Sequence, residues 1–405
     1  MAWTSIIPAF APAACDPPAT GAAAEADWHV ALLEDVHAAE TFWQELFETA
    51  GRHVYQHPAF HTAWFKTLGR RKRAGPLIIA VHHQGRPFLL LPLLVKRIGP
   101  LAIAVHAGEK HANIAGPLCR NDDHALITQA LTIVCAHLKR AGIDLLLMQN
   151  VIAQADGQSP ASSWPRVRWI ITERFFEAVL PAKGLEAFFS AHRSRKARAR
   201  LRHKRNRLAA VGTLRIGRVT KRAQAHEAIH TLLSWKAARL ARKGAAAAPG
   251  IMAGWAAFYR ALFDQGLLEI YTLSVNGRLL AVLAGAAAHG RFSVFASAFD
   301  ADAPLARYSP GEVLLAHLFD ALPARGVRRL DLGVGSMPYK QAWSTSIHPA
   351  GTLLVSITWR GNLAMRALTP LLALKPAAKR ILEKHPRLRR PLTFFHTAAR
   401  WPVST

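Results

Sequence analysis

Tyr339 and Lys340 close a run, residues 307–343 (RYSPGEVLLAHLFDALPARGVRRLDLGVGSMPYKQAW), in which a phenol, an ammonium and the carboxylate of Asp331 follow a Pro-Gly turn. A lysine there can polarise a thioester or ester carbonyl, neutralise a phosphate or, once desolvated, accept a proton from an attacking group. Tyr339 can donate to a leaving thiolate, or pack its ring and wet its hydroxyl. Asp331, at a strand end, can orient the acceptor or Lys340, or cap the glycine-rich turn behind it. Tyr308, Ser309 and Gly311 belong to the turn that feeds a helix, and a helix start offers free backbone N–H groups to an anion. Glu312 favours that helix start by its charge and so opposes an anion there. The set fits a donor that carries an acyl or phosphate group.

The elements that must position these residues follow from periodicity. Val313, Leu314, Leu318 and Leu322 recur at helical spacing, Gly326 ends the helix, and residues 329–332 restart as a strand. Upstream, residues 268–275 run into Asn276-Gly277, a two-residue hairpin turn, and residues 279–288 run back. A third strand spans residues 291–299. The order is three antiparallel strands, a helix, a strand at Asp331, a loop bearing Tyr339-Lys340, and a last strand at 352–358.

This order resembles the GNAT acyltransferase core. Pro310-Gly311 at the helix start, Gly326-x-x-x-Leu330-Asp331 and Tyr339-Lys340-x-x-Trp343 together resemble the CelD/BcsL-type acetyltransferases, associated with cellulose biosynthesis, over residues 192–346. The resemblance implies an acyl-CoA co-substrate and an amine or hydroxyl acceptor. It implies a site with Lys340, Tyr339 and Asp331 as catalytic residues and Tyr308, Ser309, Gly311, Glu312 and Ala296 as donor-binding residues. It also relates the chain distantly to the Fem-type peptidyltransferases, which use aminoacyl-tRNA. The GNAT pyrophosphate loop is matched in part: Tyr308 stands where Gln or Arg is usual and Val313 where a small residue is usual.

The first half repeats this plan. Residues 77–81, the turn Gln84-Gly85 and residues 88–95 mirror the later hairpin, and a helix over 123–141 ends at Gly142 before a strand at 143–147. The expected fold class is therefore α/β, two tandem GNAT-like domains, each a mixed, mostly antiparallel sheet flanked by helices. The expected boundaries are a disordered Ala/Pro-rich leader at 1–27, a non-catalytic domain at 28–154, a linker at 155–175, a transferase domain at 176–362 and a basic amphipathic tail at 363–405.

The chain has 405 residues, with 52 Lys and Arg against 25 Asp and Glu, a net charge of +27. Such a surface attracts nucleotide cofactors, tRNA, anionic lipid or acidic polysaccharide without choosing among them. Residues 192–207 hold nine Lys or Arg in sixteen. Ala197, Leu201 and Leu208 share one stripe there, so this is the first helix of the second domain, its basic face either solvated or binding an anion. In the tail, Leu371, Leu374, Ala378, Ile381 and Leu382 fall near one face of a helix interrupted at Pro376, among Lys375, Lys379, Arg380 and Lys384. That segment can lie on an anionic membrane or pack on the catalytic domain.

Cys15, Cys119 and Cys135 lack paired spacing, so neither a disulfide framework nor a zinc site is expected, and His57 and His61 lack the partners a metal needs. No Gly-x-Ser-x-Gly elbow and no Walker-type loop occurs. The expected function is acyl transfer from acyl-CoA to a small molecule or cell-envelope saccharide, in the cytoplasm or peripherally on the membrane's inner face. A Fem-type aminoacyl-tRNA-dependent ligase and a non-catalytic binding module are the alternatives.

Overall fold

A computed structural model describes residues 27–69, 75–120, 123–153, 162–242 and 249–384. The leader reading, with Cys15, the Gly/Ser/Pro-rich stretch at 154–161 and the tail beyond residue 384 lie outside the described residues.

One 13-stranded sheet runs through the molecule in the order β1-β2-β3-β4-β6-β13-β7-β12-β11-β10-β9-β8, with β5 beside β3. The first arm is β1 (Trp28–Leu33), β2 (Pro76–His83), β3 (Arg86–Ile98), β4 (Leu101–His106), β5 (Leu118–Cys119) and β6 (Leu145–Ile152). The second is β8 (Leu214–Val219), β9 (Glu269–Val275), β10 (Arg278–Ala288), β11 (Arg291–Phe299) and β12 (Arg329–Val334). Between the arms lie β7 (Val167–Val179) and β13 (Ser346–Ser356), antiparallel to each other.

The arms are built alike. Two helices, α1 (Glu40–Ala50) and α2 (Pro58–Trp64), connect β1 to β2, and α6 (Arg222–Arg242) and α7 (Pro249–Asp264) connect β8 to β9. A single helix, α3 (His124–Arg140) or α8 (Pro310–Ala321), then carries the chain between the two parallel strands of its arm, β4 to β6 or β11 to β12. Crossover helices are what parallel neighbours require, since a tight turn cannot join them. Two further helices, α4 (Gly184–His192) and α5 (Arg195–Ala209), enter the second arm. The chain therefore has the tandem, mostly antiparallel α/β fold.

The hairpin at Asn276-Gly277 forms with both residues at positive φ, 51° and 79°, the conformation a two-residue turn needs. Gly326 sits at φ 81°, where a side chain would be disfavoured. The core has two layers. On one face α2, α6, α7 and the C-terminal helix α10 (Trp359–Lys384) pack together through Phe60, Trp64, Ile229, Phe258 and Met365. On the other, α4, α5 and α8 cover the second arm through Phe188, Leu201 and Leu318, with Ala197 and Leu208 buried as the helical stripe demands.

Several expectations need correction. The linker expected at 155–175 contains the start of β7, whose first residues are exposed or half-buried beside β13 before the strand becomes buried at Phe175–Ala178. The expected transferase unit at 176–362 would thus begin inside a strand. The last strand starts at Ser346, six residues earlier than its apolar run, because its polar first residues pair with β7. The tail helix is not interrupted: α10 contains both Pro370 and Pro376. Pro370 is exposed, so water can take the carbonyl it frees. Finally, Tyr339 and Lys340 lie on a short helix, α9 (Pro338–Trp343), rather than a loop.

Candidate active site

The two parallel strands of the second arm stay together only briefly. β11 and β12 pair over Arg291–Ser293 and Arg329–Asp331, then part. At the last paired position lies a buried ion network. Arg291 binds Glu177 of β7 and, at 2.5 Å, Asp331; Ser293 Oγ donates to Asp331 at 2.7 Å; Arg329 binds Glu177 at 3.0 Å. Burial pushes the Asp331 carboxyl up to about 6 against the pull of Arg291. Asp331 therefore does not cap the turn behind it, its carboxylate being taken up by Arg291 and Ser293. It ties three strands together where they begin to splay, because a buried carboxylate must be satisfied by such partners.

The apex of the splay is filled from the first arm. Asn113 donates to Val294 O at 3.3 Å and to Tyr55 Oη at 2.8 Å. Gly333 faces it with φ 77°, and a Cβ there would come 2.7 Å from Asn113 Nδ2. Beyond this point β11 is kinked. Ala284 pairs with Ala296 but Gly285 with Val294, leaving Phe295 as an extra residue. Such a bulge re-aims the strand's backbone groups. Ala296 lies just past the bulge, on the strand that has lost its β12 neighbour, and its side chain is buried.

The outer end of the splay meets the start of α8. Ser309 is the residue before the helix, in the left-handed region at φ 50°, with Pro310 next. Pro310 has no N–H, and the N–H groups of Glu312 and Val313 turn back onto Ser309 O at 2.9 and 3.2 Å. Gly311 contributes the N–H of this first turn that is not so engaged, so the helix start offers less than its sequence promised. What it lacks in N–H groups it gains in cations. The basic helix α5 packs beside it, Lys204 holding Glu312 at 2.5 Å and Arg207 lying over the Tyr308 ring at 5.8 Å. The hydrogen bond from Arg207 holds the Tyr308 phenol below its usual range. Lys204 thus offsets the repulsion expected of Glu312, and the basic face of α5 lies beside the start of α8.

Helix α9 closes the mouth. Trp343 is its anchor, fully buried and stacked on Phe188 with ring planes 1° apart and centroids at 5.8 Å. Lys340 Nζ donates to Val334 O, the end of β12, at 2.6 Å. Tyr339 is hydrogen-bonded with Ser297 of β11, and burial raises its phenol. The Tyr-Lys-x-x-Trp string therefore bridges the two splayed strands and docks in the core.

Two cations missed by the sequence reading stand on the α6 side. Lys236 Nζ lies 4.7 Å from the Trp255 ring centroid, and burial with help from Arg239 lowers its ammonium to about 8. Arg239, one turn on, reaches Met337 Sδ at 3.8 Å beside α9. A lysine and an arginine three apart on a helix next to an aromatic residue were the available signal. Asn113 and Tyr55 had none, since their place comes from packing between arms. Among the described residues no group of His, Cys, Asp and Glu could hold a metal ion.

A splayed parallel pair, a bulge beside it, a helix start at its outer end and a closing Tyr-Lys helix thus come together in the second arm. Residues 195–341, from the basic helix into α9, match the family model described as an acetyltransferase (GNAT) domain. Among solved structures the chain is similar to FemX, with a TM-score of 0.61 at 11% identity, covering 84% of this chain and 100% of that one. It is also similar to a conserved protein of unknown function from Bacteroides thetaiotaomicron VPI-5482, with a TM-score of 0.53 at 12% identity, covering 81% of this chain and 100% of that one. At such identities the likeness is one of fold. No curated protein matches the chain in sequence.

Proposed function

We propose that the second arm is an acyl-CoA-dependent N- or O-acyltransferase. The observation that carries the reading is the juxtaposition of the β11/β12 splay with the α8 start and the cations of α5. The pyrophosphate of CoA would meet the Gly311 N–H, Lys204 and Arg207, and its pantetheine would enter the splay along the open edge of β11. The acceptor would come from the α6 side, past Lys236 and Arg239. Its amine or hydroxyl attacks the thioester carbonyl, the C–S bond breaks, and the acceptor's proton passes to a base. Lys236, lowered to about 8, suits that task, since a base works best with a pKa near the operating pH. Tyr339, kept protonated by its burial, suits protonation of the thiolate. Lys340 secures α9 to β12 and so sets the geometry on which proximity catalysis depends.

Calorimetry with CoA and acetyl-CoA tests this, run beside filter binding of charged and uncharged tRNA. Binding of CoA at roughly micromolar strength that Gly311→Val abolishes is expected. A Cβ at Gly311 would meet only Phe299, at 3.5 Å, so the variant should fold while its branched side chain fills the donor's approach. Retention of charged tRNA with no CoA heat would favour the Fem-type reading instead. Loss of neither, because neither binds, would leave a binding module.

A further inference from the structure

Helix α10 is amphipathic twice over. Its inner face, Gly361, Met365 and Leu368, is buried, with Gly361 pressed so close to Asp144 that a Cβ would lie 1.7 Å from Asp144 O. Opposite, Trp359, Leu363, Leu371 and Leu374 are 73%, 58%, 65% and 63% exposed. At 100° per residue these four fall within an arc of roughly 120°, away from the buried stripe. Scattered exposed leucines are ordinary, whereas a tryptophan and three leucines aligned on one outward helix face make a patch. Met365 and Leu368 hold the helix flat on the sheet, so this face cannot turn inward.

The charge of this stretch of sequence says what covers the patch. From residue 359 to residue 405 the sequence has ten Lys and Arg and one acid, Glu383. Arg366 is exposed beside the apolar arc, and the whole chain carries +27. An apolar arc with an aromatic residue and a cationic border is the pattern of a helix that lies in the interface of an acidic bilayer. Among the described residues no helix is long and apolar enough to cross a membrane. We infer that α10 docks the protein flat on an anionic lipid surface through Trp359, Leu363, Leu371 and Leu374. Because α10 shares its face of the sheet with α6 and α7, docking turns the α6 side of the splay toward the lipid.

Co-sedimentation of the full chain with phosphatidylcholine vesicles, with and without about 30 mol % phosphatidylglycerol, tests the inference. Leu363→Asp/Leu371→Asp alters two exposed positions and should leave the circular dichroism spectrum unchanged. We expect the wild type to sediment with the anionic vesicles, little with the neutral ones, and the double variant to partition at least tenfold more weakly. Equal partitioning of variant and wild type would overturn the role of this face, leaving a general basic attraction. Failure of the wild type to bind anionic vesicles would overturn it as well. A wild-type dimer in light scattering that the double variant converts to monomer would show that a second copy covers the patch.

Discussion

Acidification from about pH 7.5 to about pH 5.5 should destabilise this fold by roughly 3 kcal/mol, through a cluster of sealed histidines. His53, His61 and His106 are buried, and desolvation holds them down to about 3, 3 and 4 from 6.5. The Nδ1 atom of each has no hydrogen-bond partner among the described residues. His61 already donates from Nε2 to Tyr55 O at 2.8 Å, so a second proton would sit on a nitrogen facing no acceptor. Above pH 6.5 the rings are neutral in both folded and unfolded chains. Below it the unfolded chain takes up protons that the folded one refuses, so stability falls as pH drops from 6.5 toward the folded values. One unit is worth about 1.4 kcal/mol per ring, so three rings lose about 4 kcal/mol over the window. Asp331 works oppositely. Raised to about 6, its stabilisation is present at low pH and lost as pH rises through that value, which returns about 1 kcal/mol. The remainder is a large share of the roughly 5–15 kcal/mol typical of a folded protein. Urea unfolding at both pH values measures it. His61→Gln keeps a donor for Tyr55 O and removes one titration, so its loss should be smaller by about 1.4 kcal/mol. Equal stability at the two pH values, or a variant with the wild-type pH dependence, would refute the reasoning.

Other expectations follow from the site. Lys340→Met should lower turnover about a hundredfold with little change in the donor's KM, since it releases α9 from β12; steady-state kinetics would contradict this if only KM rose. Lys236→Met should lower turnover and remove the rise in rate that runs through about pH 8 as the base deprotonates, and a profile identical to wild type would remove the proton-accepting role. Gly333→Ala places a Cβ 2.7 Å from Asn113 Nδ2 at a positive φ; thermal unfolding should register a loss of about 1–3 kcal/mol, and an unchanged melting temperature would mean that Asn113 is free to leave the apex.

Much of the second arm was legible because its signals are local. Asn276-Gly277, the period of Val313, Leu314 and Leu318, and Gly326 each specify one turn or helix without reference to anything distant. α9 was not, since six residues hold less than two turns and give no periodicity; Pro338 at its first position was the clue. β7 was hidden because its first residues are mixed in polarity and need β13, far along the chain, to become a strand. Asp331 was read as orienting the acceptor or Lys340, or capping a turn, because its partners, Arg291 and Ser293, lie on another strand. Asn113 reaches Val294 across 181 residues of sequence, a distance over which spacing carries no information.

The placement of β13 bears on how the molecule is made. Its residues pair with β6 on one side and β7 on the other, so the strand that leaves the ribosome after both arms is the one that seals each of them. Until about residue 356 has emerged, β6 and β7 both present an unpaired strand edge, the state in which nascent chains pair wrongly or aggregate. The arms repeat one plan, yet neither can finish before the other has been synthesised. A chain cut between them should yield two fragments that are soluble only when produced together.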